Sequence, residues 1–173
     1  MKALKEFSLP ISGLTTGVHA YQFTLDQSFF KAFDNKLTEN GLLQAEVELD
    51  KKPGMLVFDM NVNGQVATTC DRCLAPIQLP VQGSYQLIVK YSDQPREEGE
   101  VVYISLDETT FDLSSYLHEL VALSIPFSKV YDCEEDDPQP CDFETLDRLE
   151  GDQVDEDEAD SGTWDALKDI ELN

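Results

Sequence analysis

Leu43, Ala45, Val47 and Leu49 alternate with Gln44, Glu46, Glu48 and Asp50. A period of two sustained over that length buries one face of a strand and wets the other. Lys52-Pro53-Gly54 supplies turn residues. Leu56, Phe58 and Met60 then restart the alternation, with Asn63-Gly64 read as a break or bulge before Gln65 to Thr69. Residues 43–69 are therefore expected to form an antiparallel hairpin or meander. It delivers the chain directly to Cys70-Asp71-Arg72-Cys73.

Around that hairpin the pattern changes from strand to helix and back. Val18 to Leu25 alternates as a strand. Asp26 has the chemistry of a helix cap, and Phe29, Phe30, Phe33 and Leu37 recur at helical spacing as core residues, with Asn40-Gly41 as the stop. Pro76 and Pro80 are expected to keep their segment out of helix and out of central-strand pairing. Tyr85, Leu87 and Val89 alternate again, Gln94 to Gly99 is polar and loop-like, and Val101 to Leu106 is a short strand. Asp112 caps a helix running to Ser124, with Leu113, Tyr116, Leu117, Leu120 and Leu123 on one face, and Pro126 ends it. Phe143 to Leu149 has the pattern of a short helical turn.

Taken together, these elements predict an α+β fold. A mostly antiparallel sheet of six or seven strands curls toward a barrel, with two packed helices and an acidic C-terminal tail. Residues 1–131 form the core domain. Residues 132–173 form a largely flexible arm that ends in a short helix carrying Trp164, Leu167 and Ile170 at every third position. A helix that short is marginal in water without a surface to fold on. Those three side chains are the expected partner anchor.

Charge limits the partner. The formal net charge is −23, and residues 132–173 alone carry 18 acidic against 2 basic side chains. Such a chain is repelled by a phosphate backbone and attracted to basic partners. Lys2 with Lys5 and Lys51 with Lys52 are the candidate local basic patches. Catalytic signatures are missing: there are two histidines, His19 and His118, with no Gly-rich phosphate loop, G-x-S-x-G or H-E-x-x-H. His118 reads as a surface residue of its helix. No enzyme is expected.

Four cysteines, Cys70, Cys73, Cys133 and Cys141, are the candidate metal ligands. A C-x2-C turn supplies two soft donors, and four thiolates close a tetrahedral zinc site with no open position, so any metal would be structural. The same four sulfurs are enough for two disulfides. The N-terminus shows no apolar signal region after its lysines, and no apolar run approaches the about 20 residues of a membrane span. A cytoplasmic chain with reduced thiols is expected, and no membrane partner. Zinc and no metal both stay open. A reactive Cys-x-x-Cys dithiol is a weaker alternative, because no helix pattern starts at Cys73 to depress a thiol.

Cys70-Asp71-Arg72-Cys73-Leu74-Ala75-Pro76 after a long antiparallel stretch is one part of a wider pattern. Asp112-Leu113 opening a helix that reaches Leu120-Val121-Ala122-Leu123-Ser124-Ile125-Pro126 is another, followed by a cysteine-bearing acidic segment and Trp164-Asp165-Ala166-Leu167-Lys168. In that order they resemble the YceD family, the large ribosomal RNA subunit accumulation proteins. Where many relatives carry a glycine-containing second knuckle, this chain has Cys133 and Cys141. The resemblance implies a non-enzymatic role in large-subunit ribosomal RNA accumulation and assembly, with a large-subunit precursor as partner. The charge adds a route of its own: holding a basic ribosomal protein, with ribosomal RNA engaged indirectly. Direct binding of precursor ribosomal RNA is the alternative.

Overall fold

A computed structural model describes residues 4–33, 40–133 and 136–151. Its framework is one six-stranded sheet. β2 (Gly17–Leu25), β3 (Gly41–Lys52), β4 (Met55–Thr69) and β5 (Pro76–Tyr91) follow one another as an antiparallel meander. β7 (Val101–Ile104) lies parallel to the end of β5, and β6 (Arg96–Glu98) closes the order on the outside of β7. The chain leaves β5, passes one position beyond it to form β6, and turns back through Gly99-Glu100 to fill the gap. A separate two-stranded ribbon pairs β1 (Ser8–Pro10) with β8 (Thr110–Asp112). β2 and β6 stand at opposite ends of the strand order, so the sheet is open and does not close into the barrel toward which it was expected to curl.

The β3–β4 hairpin forms where the alternation places it. Lys52 pairs with Met55 across Pro53-Gly54, and Gly54 takes a φ of +79°, open to glycine and strained for other residues. Leu43, Ala45, Val47 and Leu49 are buried, and Gln44, Glu46 and Glu48 between them are exposed. β4 differs from expectation: it runs unbroken from Met55 through Asn63-Gly64 to Thr69, in register with both neighbours.

Pro76 and Pro80 stay out of helix and out of central-strand pairing, as expected. Both sit inside β5 and pair with Thr69 and Gln65 of β4. β7 reaches only Ile88–Tyr91, so the first part of β5 has a free edge where proline's missing N–H loses no ladder bond. Arg96–Glu98, expected as loop, is a strand. Its alternation is hidden because all three residues are exposed and charged.

Two helices cover the core face. α1 (Gln27–Lys31) is shorter than the phenylalanine spacing suggests. Asp26 caps it as expected, its Oδ1 accepting from Ser28 N at 2.8 Å and Phe29 N at 3.2 Å. Leu37 lies outside the described residues. α2 (Ser114–Ser124) is capped from Asp112, whose Oδ1 accepts from Ser114 N at 2.9 Å, while Leu113 holds the cap position itself. Leu113, Leu117, Leu120 and Val121 are buried. Leu123, expected on the same face, is 79 % exposed. His118 is half-buried and stacks on Phe33 at 4.1 Å between ring centroids, so it joins α2 to α1 rather than facing water. α3 (Phe143–Gly151) begins at Asp142, whose carboxylate accepts from the backbone and hydroxyl of Thr145.

Candidate functional site: a cysteine knuckle stapled to the chain beyond the second helix

β4 and β5 stay paired as far as Thr69 and Pro76, so residues 70–75 are the tip of a long hairpin. Cys70 N donates to Ala75 O at 2.9 Å and Leu74 N to Cys70 O at 3.0 Å, which folds the tip into a compact loop. Leu74 takes a φ of +61°, the left-handed region that costs a non-glycine residue about 1–2 kcal/mol. The loop tolerates that cost to turn Cys70 and Cys73 inward, where they are 2 % and 1 % exposed and both free thiols.

Burial pushes the Cys70 thiol up, but backbone hydrogen bonds from Cys73, Arg72 and Tyr131, with the Cys73 thiol, hold the sulfur's charge. The net direction is below the ordinary cysteine value. These bonds favour the thiolate of Cys70, the form that ligates metal. No helix starts at the knuckle; β5 begins at Pro76, so the usual dipole of a redox Cys-x-x-Cys is missing here.

The acidic and basic residues between the two cysteines reach the chain beyond α2. Asp71 N donates to Lys129 O at 3.0 Å, Lys129 N donates to Asp71 Oδ2 at 2.8 Å, and the Lys129 ammonium lies 3.6 Å from Asp71 Oδ1. Arg72 Nη2 lies 3.5 Å from Cys133 Sγ and 3.8 Å from Cys141 Sγ. All four cysteines are thereby gathered at one end of the sheet. Cys133 is buried and its sulfur is bonded to that of Cys141, with Cα atoms 7.0 Å apart. Among the described residues no three cysteine, histidine or carboxylate side chains are grouped to hold a metal ion. The donor chemistry of Cys70 and Cys73 fits zinc. Cys133 and Cys141 are bonded to each other and are not free thiols.

Sequence reasoning singled out the cysteines and missed the staple. Arg72 was visible between them, but nothing in the linear spacing linked Asp71 to Lys129, 58 positions later. Trp164, Leu167 and Ile170 lie outside the described residues, as does Lys2.

Of the two candidate basic patches, Lys51 with Lys52 is already engaged. Lys51 Nζ donates to Ile11 O at 2.8 Å, and Lys52 pairs with Asp50 at 3.1 Å. The open face of the sheet carries a broad concavity of about 730 Å³ lined by Gln44, Glu46, Asn61, Asn63, Gln82 and Ser84. It offers amides, a hydroxyl and a carboxylate, with neither a cation for phosphate nor an aromatic ring for base stacking.

A family model described as large ribosomal RNA subunit accumulation protein YceD matches residues 58–171, about two thirds of the chain. This chain belongs to the YceD family. The match opens inside β4 and takes in the knuckle, α2, α3 and the segment containing Trp164; β1, β2 and β3 fall outside it. The family's description points to large-subunit ribosomal RNA accumulation. No curated protein and no solved structure matches the chain. Among the described residues no helix is long and apolar enough to cross a membrane.

Proposed function

We propose that this YceD-family chain is a non-enzymatic, cytoplasmic assembly factor that holds a basic ribosomal protein for the large-subunit precursor. The distribution of charge supports this reading above all. The net charge is −23, and the concavity on the open sheet face has no basic side chain in its lining to meet an RNA backbone. Residues 132–160 would stand in for ribosomal RNA, and Trp164, Leu167 and Ile170 would supply an apolar anchor. Opposite charge of this size accelerates encounter and weakens with salt. A pull-down with tagged full-length protein at low and high salt tests it. Salt-sensitive retention of basic large-subunit proteins is expected; retention of naked ribosomal RNA alone sinks the reading.

The knuckle supports a second, structural reading. In it zinc replaces the Cys133–Cys141 bond and clamps the acidic arm to the hairpin tip through all four cysteines, with Arg72 offsetting the thiolate charge. Native mass of the reduced protein, with and without chelator, decides this: a bound zinc mass lost on chelation supports it, and an apo mass with four free thiols ends it.

A further inference from the structure

A cavity of about 390 Å³ lies between α2, the middle of β5 and the β6–β7 hairpin. That is the low end of ligand-pocket volumes, which run from about 300 to 1,000 Å³, and suits one long side chain. It exists because α2 sits hard on the sheet at Gly83, where an added Cβ would lie 2.9 Å from Ser124 Cβ. Its lining is divided. Leu87, Val102 and Leu120 make an apolar floor, Tyr85 and Tyr116 supply rings, and Glu97 and Glu119 supply carboxylates.

The negative charge there is uncompensated. Among the described residues neither Glu97, Glu119 nor nearby Glu100 belongs to an ion pair. The two phenols register the field. Burial first, then Glu100, Glu119 and Glu97, push Tyr85 up. Burial, the hydrogen bond to Glu97 and the Glu97 charge push Tyr116 to about 12. Tyr116 is fixed in place. It stacks on Phe111, which stacks on Phe58, and its hydroxyl donates to Glu97 Oε1 at 3.1 Å.

The same hairpin shows what such a lining accepts. On the opposite side of β6 and β7, Arg96 lies 4.0 Å over the Tyr103 ring and pairs with Glu98 at 2.8 Å. The cavity repeats the tyrosine and the glutamate without the arginine. At its mouth stands Leu123, 79 % exposed, and Phe127 follows it along the chain, fully exposed.

We infer that this cavity takes an arginine side chain of a basic polypeptide. Its guanidinium would lie against Tyr85 and Tyr116 between Glu97 and Glu119, and its aliphatic stem along Leu120 and Leu123. Charge-assisted bonds and cation–π contact both favour a planar guanidinium over a compact ammonium. The chain's own C-terminal arm is a poor occupant, since residues 152–173 hold nine acidic residues and one lysine. The inference rests on the reading of the chain as a holder of a basic protein and names the pocket that does the holding.

The test uses full-length protein and a capped Gly-Arg-Gly-Arg-Gly peptide, with lysine and citrulline versions for comparison. Amide resonances of Gly83 and Gly99 should shift with the arginine peptide and stay in place with citrulline. Glu97→Gln with Glu119→Gln should weaken binding at least about tenfold, equivalent to about 1.4 kcal/mol. Glu46→Gln with Glu48→Gln removes equal charge from the open sheet face and should change affinity less than about twofold. Leu123→Lys, at an exposed position that leaves the fold alone, should also abolish binding. Equal weakening by both glutamate pairs, shifts confined to residues 152–173, or lysine binding as tightly as arginine overturns the inference. Peptide binding at the cavity without retention of any large-subunit protein sinks the broader reading alone. Unimpaired retention by the Glu97/Glu119 and Leu123 variants sinks the inference alone.

Discussion

Gly64 pairs with Leu43 of β3 and Val81 of β5. An added Cβ there would lie 2.6 Å from Leu43 Cα and closer still to the Leu42 carbonyl oxygen. Both are backbone atoms at the centre of a sheet, so no rotamer change relieves the clash. Gly64→Ala should destabilise the fold by about 1–3 kcal/mol, the usual range for overpacking, read as a lower urea midpoint at an unchanged slope. An unchanged midpoint would mean that the strands separate freely there. His118 carries a different signal. Burial against Phe33 and Phe29 depresses its pKa, outweighing the Glu119 charge that would raise it. The folded state therefore prefers the neutral ring. Below the usual imidazole value of about 6.5 the unfolded chain binds the proton more readily, so stability is lost as the pH is lowered through that window and levels off below the folded pKa. His118→Phe keeps a ring against Phe33 and removes the proton. Its unfolding free energy should lose this slope between about pH 5.5 and 7.5, the range in which histidine titrates; an identical slope in both proteins would assign it elsewhere.

Elements were legible in the sequence where one face is buried and the other wet. The β3–β4 hairpin, β2, the capped start of α1 and the Leu113–Leu120 stripe of α2 follow from periodicity and caps alone. The rest was hidden for separable reasons. Arg96–Glu98 has no apolar alternation because an edge strand can live on charge and a cation–π contact. The cavity draws on residues 83–87, 97–102 and 116–124, whose meeting depends on β7 inserting between β5 and β6, and no local spacing encodes that. The knuckle's staple is likewise a tertiary fact with an elemental consequence. Asp71 holds Lys129 by one main-chain hydrogen bond, one bond from Lys129 N to its carboxylate, and a surface ion pair. Asp71→Ala removes the carboxylate half of this. A global loss of about 1 kcal/mol or less is expected, since the site is exposed. Hydrogen exchange should register it locally, with faster exchange at Lys129 and Tyr131 and little change in the centre of β4. Uniform acceleration across the sheet would mean that the staple supports the whole fold.

At the scale of the whole molecule, two charge features act on different steps of binding. The acidic arm carries 18 acidic against 2 basic side chains over residues 132–173, and attraction from a charge of that size acts before contact. The cavity is small and partly enclosed, so its carboxylates matter after contact. Charges at the rim of an interface chiefly set the rate of association, and enclosed charge pairs chiefly set the rate of dissociation. With a basic large-subunit protein as ligand, raising salt from about 0.1 to 1 M shortens the screening length from about 10 to 3 Å. Association should slow at least about tenfold over that range. Glu97→Gln with Glu119→Gln should leave the association rate within about twofold and speed dissociation about tenfold, because an unpaired guanidinium is then left against the tyrosines. Neutralising Asp155, Glu156, Asp157 and Glu158 should do the reverse, slowing association and sparing dissociation. Stopped-flow mixing separates the two rates. If both sets of substitutions act on the same rate constant, arm and cavity form a single diffuse field, and the division of labour between them is wrong.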